Sequence, residues 1–245
     1  ASPRPNRLER ALGGVKRRLL YLFVAFGIGA SLTFYFRSTI FLWLLAPAGN
    51  RLSGTGQPIF TGPTEMFGLT VSLAIKGGIV AAAPVLVYHT HRILSPLFNK
   101  RKRREISLFL VLGFILYLGG TSFAYFVLLP TGLRFLLTFG TDIATPMIRI
   151  TEYMTLAIAM LFWLGIVFEL PLLMLLLTRL RVMSHTGFRK IRRYVPAMAF
   201  ILSAIITPTF DAVNQTLVAV PIILLFEVGL FLSWMARPRQ VKGKA

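Results

Sequence analysis

The stretch LFWLGIVFELPLLMLLL, Leu161–Leu177, sets the terms for the whole chain. With its flanks it is long and apolar enough to cross a membrane, yet it carries Glu169 at its middle and Pro171 two residues on. A carboxylate at that depth costs about 2.5–3.5 kcal/mol on insertion scales. The residues three and four positions away, Gly165, Ile166, Leu172 and Leu173, are apolar, so its own helix cannot satisfy it. The carboxyl is therefore either protonated or met by another helix or by water. Pro171 has no N–H to give the carbonyl of Val167, which leaves an acceptor one turn away. The expectation is a kinked helix with a polar site turned toward the protein interior; the alternative is a protonated glutamic acid that merely glues helices together.

The composition agrees with a membrane setting. Hydrophobic residues make up 56% of the 245 positions and the mean hydropathy is +0.72, while the formal net charge is +19. A soluble globule rarely combines these. Apolar runs fall at Leu19 to Phe36, Met66 to Tyr88, Ile106 to Leu129, Tyr153 to Thr178, Val195 to Ile206 and Leu217 to Met235, predicting six transmembrane helices in an all-α, polytopic fold.

Four segments hold all 27 basic residues except Arg37, Arg51, Lys76, Arg134 and Arg149. They are the N-terminus, the second loop around NKRKRR (Asn99–Arg104), the fourth loop (Arg179–Arg193) and the tail from Arg237. This alternation places both termini on the cytoplasmic side, and it reads NKRKRR as a topology signal at anionic lipid. No aromatic residues interleave with the basic run, which argues against nucleic acid. The basic N-terminus ahead of an apolar stretch could pass for a secretory leader, but it lacks a small-residue cleavage site and is read as a retained first helix. The chain is expected to be one membrane domain, 1–245, with a basic N-terminus (1–18) and a basic tail (236–245).

The fifth run spans 12 residues, roughly 18 Å of helix against a hydrocarbon core of about 30 Å. With the tight TPTFDAVNQ (Thr207–Gln215) after it, helices 5 and 6 are both expected to be short, bordering thinned lipid or a wet recess. Glu65 and Glu152 sit where helices begin and read first as partners of the helix dipole. Lys76 can snorkel or find a carboxylate, and Gly77 and Gly78 permit close helix approach. Glu227, nearer the basic end, reads equally as structural.

Catalysis has no foothold. There is no cysteine, and His89, His91 and His185 have no metal-spaced partners and no nucleophile elbow near them. Nor is there a dinucleotide, phosphate-loop or zinc-protease motif. No cofactor and no metal is expected.

One ordered set of motifs carries more information than any single one: PTEMF (Pro63–Phe67), APVLVY (Ala83–Tyr88), SPLFNKRKRR (Ser95–Arg104), FAYFVLLP (Phe123–Pro130), FELP (Phe168–Pro171), RRYVPAMAF (Arg192–Phe200), TPTFD (Thr207–Asp211) and LFEVG (Leu225–Gly229). In this order the sequence resembles the TatC family, the multi-span component of the twin-arginine protein translocase, from Leu19 to about Ser233. The resemblance implies a six-helix, cup-shaped bundle in the bacterial inner membrane. It also implies a receptor for twin-arginine signal peptides that passes folded proteins outward on the proton motive force, with TatA- and TatB-type single-span partner subunits. The family's functional positions fall on Pro47, Pro84, Pro96, Tyr125, Glu169, Asp211 and Gln215.

The resemblance departs at the step that defines recognition. Where the family has a glutamate in its N-terminal motif this chain has Gly14, and where a second glutamate precedes a pair of arginines it has Lys102. Specific binding of two guanidinium groups rests on paired carboxylates, and Glu9 and Glu105 are the displaced candidates. Two functions stay open: a divergent translocase receptor, and a TatC-like chain that has lost signal recognition and serves as a structural or assembly subunit of another membrane complex. A proton-coupled small-molecule transporter is disfavoured, because no inverted repeat or paired broken helix is visible.

Overall fold

In hydrocarbon every backbone N–H and C=O must be satisfied within its own segment, so the apolar runs have little choice but to become helices. The computed structural model describes residues 15–47, 62, 64–94, 100–138, 149–180, 182–207 and 212–236, and among them every regular element is helical. We number the helices α1 (Val15–Tyr35), α2 (Arg37–Leu45), α3 (Glu65–Leu94), α4 (Lys100–Phe123), α5 (Leu129–Thr138), α6 (Ile150–Val167), α7 (Leu170–Arg179), α8 (His185–Ile191), α9 (Val195–Ile206) and α10 (Ala212–Met235). A π-turn, Ala124–Leu128, joins α4 to α5, and a 3-10 turn, Arg192–Tyr194, joins α8 to α9.

Among the described residues four segments are long and apolar enough to cross a membrane: Glu65–Leu86, Leu108–Phe135, Ile150–Arg179 and Ala212–Met235. A fifth would be the pair Leu19–Tyr35 and Arg37–Leu45, bent by 67°. The expected first run, Leu19 to Phe36, is thus the single helix α1, and the bend follows it. The break falls at Phe36, and the Arg37 guanidinium caps it by donating to the Phe34 carbonyl (3.2 Å) while lying 5.0 Å over the Phe34 ring.

The expected fifth helix appears as α9 with its 12 residues. The expectation of a short sixth helix does not hold. α10 has 24 residues and starts five positions before Leu217, because Asn214 is fully buried and its polar side chain is housed by packing rather than left in a loop. Likewise, Arg92 belongs to α3, and the basic run from Lys100 to Arg104 is the start of α4 rather than a loop. Lysine and arginine are good helix formers, so a helix can continue past the hydrocarbon into water.

The chain divides into two compact units, the first containing α1, α2, α3 and α4 as far as Phe114, the second running from Ile115 through α10. In the first unit α1 lies against α3. A Cβ on Gly29 would collide with that of Ala81, and one on Gly77 would collide with the Thr33 side chain. Lipid tails are as apolar as leucine, so close backbone approach, more than burial from water, holds such a pair together. Lys76 finds its partner within α3, where Nζ donates to Ser72 Oγ at 2.9 Å.

The second unit is built around α6, which buries Met154, Ala157 and Leu164 completely and is apolar on every side, as a central helix should be. Glu152 lies in its first turn. The third apolar run passes through the π-turn just before Pro130. Proline cannot donate to the Phe126 carbonyl and its ring crowds that oxygen, and a widened turn relieves both problems.

Gly29→Ala should lower stability by about 1–3 kcal/mol through overpacking against α3. Gly27→Ala, where a Cβ meets nothing within 4 Å, should be neutral or stabilising by up to about 1 kcal/mol. Apparent melting temperatures of both variants in detergent micelles test the pair of signs.

Candidate functional site

Glu169 stands in the two-residue break between α6 and α7. Its N–H donates three residues back to the Ile166 carbonyl (3.1 Å), a tightened step that ends α6, and its own carbonyl accepts from Leu173 (2.9 Å) to start α7. Pro171 follows at the beginning of α7, where a missing N–H does least harm. The helix is interrupted where a kink was expected, while Ile150–Arg179 still runs as one spanning segment.

The neighbours of the break explain where Glu169 points. Phe168 faces α4, with its ring 5.5 Å from that of Phe123 and its Cβ beside Gly120. Pro171 and Leu172 are buried, and Pro171 lies so near Gly229 of α10 that a Cβ there would sit 3.1 Å from the proline Cα. With those directions taken, Glu169 falls on the remaining face with Ile166 and Leu173, at 41% and 50% exposure. Its side chain is exposed. The expectation of a carboxyl turned into the protein interior is corrected on this point, because larger side chains fill the inward positions. Among the described residues the carboxyl has no hydrogen-bond or ion-pair partner; its one electrostatic neighbour is Tyr117 of α4.

Tyr117 was not singled out in the sequence, although Gly165 offered a signal: a Cβ at Gly165 would overlap the Tyr117 ring. Beside it, Gly120 brings α4 so close to α6 that a Cβ would sit 2.6 Å from the Leu164 carbonyl, and Thr121 Oγ1 donates to the carbonyls of Tyr117 (3.0 Å) and Leu161 (3.3 Å). This interface fixes the α4 side of the break. On the other side, Thr178 and Ser233 share a buried hydrogen bond of 2.7 Å between α7 and α10.

The other predicted site residues are not gathered here. Tyr125 is buried on the π-turn and interacts electrostatically with Tyr153 near the opposite end of α6. Tyr153 and Glu169 are separated by about 24 Å of helix. Gln215 lies near the start of α10, its Nε2 donating to the Phe200 carbonyl of α9 at 3.3 Å. Pro84 is exposed within α3, and Pro47 is half-buried in the turn after α2. Glu9, Pro96 and Asp211 lie outside the described residues, as does Gly14; Glu105 and Lys102 are in the first turns of α4, their side chains outside the described set. No group of three metal-ligating side chains occurs among the described residues.

The family profile "Sec-independent protein translocase protein (TatC)" matches residues 11–221. The chain belongs to the TatC family. It is 30% identical to the Sec-independent protein translocase protein TatC of Carboxydothermus hydrogenoformans over 98% of each chain. It is 32% identical to the protein of the same name from Desulforapulum autotrophicum over 89% of this chain and 81% of that one. The fold is similar to a crystal structure of the twin-arginine translocase receptor TatC, with a TM-score of 0.80 at 30% identity, covering 92% of this chain and 99% of that one. Glu169 is a charged group on an otherwise apolar, outward face of a spanning segment.

The α7–α10 contact holds that face in place. Thr178→Val should cost about 1–3 kcal/mol by leaving the Ser233 hydroxyl buried without its partner. The double variant Thr178→Val/Ser233→Ala should cost less than the two single changes added together, as measured by chemical unfolding in detergent.

Proposed function

We propose that this chain is the receptor subunit of a Sec-independent, twin-arginine protein translocase, binding signal peptides and passing folded proteins across the membrane on the proton motive force. The observation that carries this reading is the outward-facing Glu169. A carboxyl in mid-span with no partner among the described residues asks for one from outside, and an inserted peptide or a partner helix could supply it. The crystal structure this chain is similar to is described as a twin-arginine translocase receptor, which fits that role.

The finer features follow from the same reading. The chain acts as one membrane domain of six spans in a cup-shaped bundle, the span formed by α9 being the shortest of the six, and both termini on the cytoplasmic side of a bacterial inner membrane. The distribution of basic residues supports this orientation. TatA- and TatB-type single-span subunits and twin-arginine precursors are its partners, with anionic lipid along the basic segments. The reading assigns it no enzymatic step; its work is binding and passage.

Gly14 and Lys102 favour a second reading, a TatC-family chain without signal recognition that serves as a structural or assembly subunit of another complex. A basic surface without those carboxylates repels a basic signal. A photo-crosslinker at position 14 or 102 separates the two. Under the receptor reading it captures a twin-arginine precursor and not its twin-lysine version; under the second it captures neither, and the chain copurifies with other membrane subunits.

Glu169→Gln should leave the melting temperature nearly unchanged, within about 0.5 kcal/mol, because the side chain is exposed. It should nevertheless lower export of a folded twin-arginine reporter. Unchanged export would remove Glu169 from the mechanism.

A further inference from the structure

Between α9 and α10 lies an apolar groove of about 350 Å³. Its floor is Ala199 and Ile222, both buried, and its rim includes Met198 and Ile205, exposed by 62% and 67%. It runs from Ile191 to Ile205, about 20 Å of helix, which exceeds the roughly 15 Å depth of one leaflet in a hydrocarbon core of about 30 Å.

One end of the groove is charged. Ile191, Val195 and Phe226 line that end; Arg192 and Glu227 directly follow Ile191 and Phe226, and Arg193 stands midway between Ile191 and Val195 in sequence. Arg192 Nε donates to Glu227 Oε1 at 2.7 Å, which orients its guanidinium across the α8–α10 corner. Arg193 lies 4.6 Å over the Tyr194 ring and pairs with no carboxylate among the described residues. Arg189 and Lys190, exposed one turn earlier, add two more cations against the single acid. Guanidinium groups match phosphate oxygens in pairs, and tyrosine favours the level of the headgroups.

We propose that this groove is a discrete site for one anionic phospholipid, an acyl chain lying along α9 and the phosphate held at Arg192 and Arg193. This differs from a diffuse attraction between a basic surface and acidic lipid, because it requires both the charge and the groove. It also gives the 12-residue α9 a lipid of its own at the point where the helix is too short for the bilayer.

Native mass spectrometry of the full chain in detergent, titrated with phosphatidylglycerol or with phosphatidylcholine of the same acyl composition, tests the site. One phosphatidylglycerol should be retained about tenfold more tightly than phosphatidylcholine, and Arg192→Gln/Arg193→Gln should abolish the difference. Leu202→Trp, which fills the groove, should release both lipids; Leu202→Phe serves if the larger change prevents folding. Soluble glycerol phosphate should not compete, since it has no chain to seat. Equal retention of the two lipids, retention unaffected by the groove-filling change, or a protein rather than a lipid adduct from a photo-crosslinker at Met198 in intact membranes would overturn the proposal.

Discussion

How closely two helix backbones can approach governs most of what this chain does in a membrane. Without water to expel, a helix pair gains from dispersion and from occasional polar bridges, and both fall away quickly with distance. In the first unit, Gly29 and Gly77 bring α1 and α3 together. In the second, Gly120 and Gly165 do the same for α4 and α6, and Gly229 for α7 and α10. The functional face depends on these contacts. Glu169 points outward because Phe168 and Pro171 have been drawn into close contacts on either side of it.

Periodicity and charge made much of this architecture legible in the sequence. The fifth helix, Val195–Ile206, was readable to the residue, because Pro196 at its start and Pro208 beyond its end leave little freedom. The break at Glu169 was readable because Pro171 removes an N–H. What the sequence withheld were outcomes set by neighbours. α10 extends back through Asn214 because Gly132 leaves room for the buried amide oxygen, a match between residues far apart in the chain. The direction of Glu169 is set in the same way by its neighbours: hydropathy shows that a carboxyl is costly, but not which face the bulkier Phe168 and Leu172 claim first.

The basic residues divide into two kinds by surroundings. Arg37 caps a carbonyl and stacks on Phe34, so it serves the bend between α1 and α2. Arg192, paired with Glu227, joins the α8–α9 corner to α10, but both groups are largely exposed and such a pair contributes at most about 1 kcal/mol. Its value lies in orientation more than in stability. The surplus cations around it remain available to whatever carries negative charge at that membrane surface.

The π-turn before Pro130 has a consequence for how α5 meets its neighbours. The buried residues through this region are Ala124 and Tyr125, Leu128 and Leu129, Gly132 and Leu133, adjacent pairs recurring every four positions. On a regular helix of 3.6 residues per turn, a four-residue repeat drifts by about 40° at each step, and the last pair would have rotated well away from the first. A widened turn takes up that excess phase, so a proline that would ordinarily divert the helix instead keeps one continuous inward face from Tyr125 to Leu133.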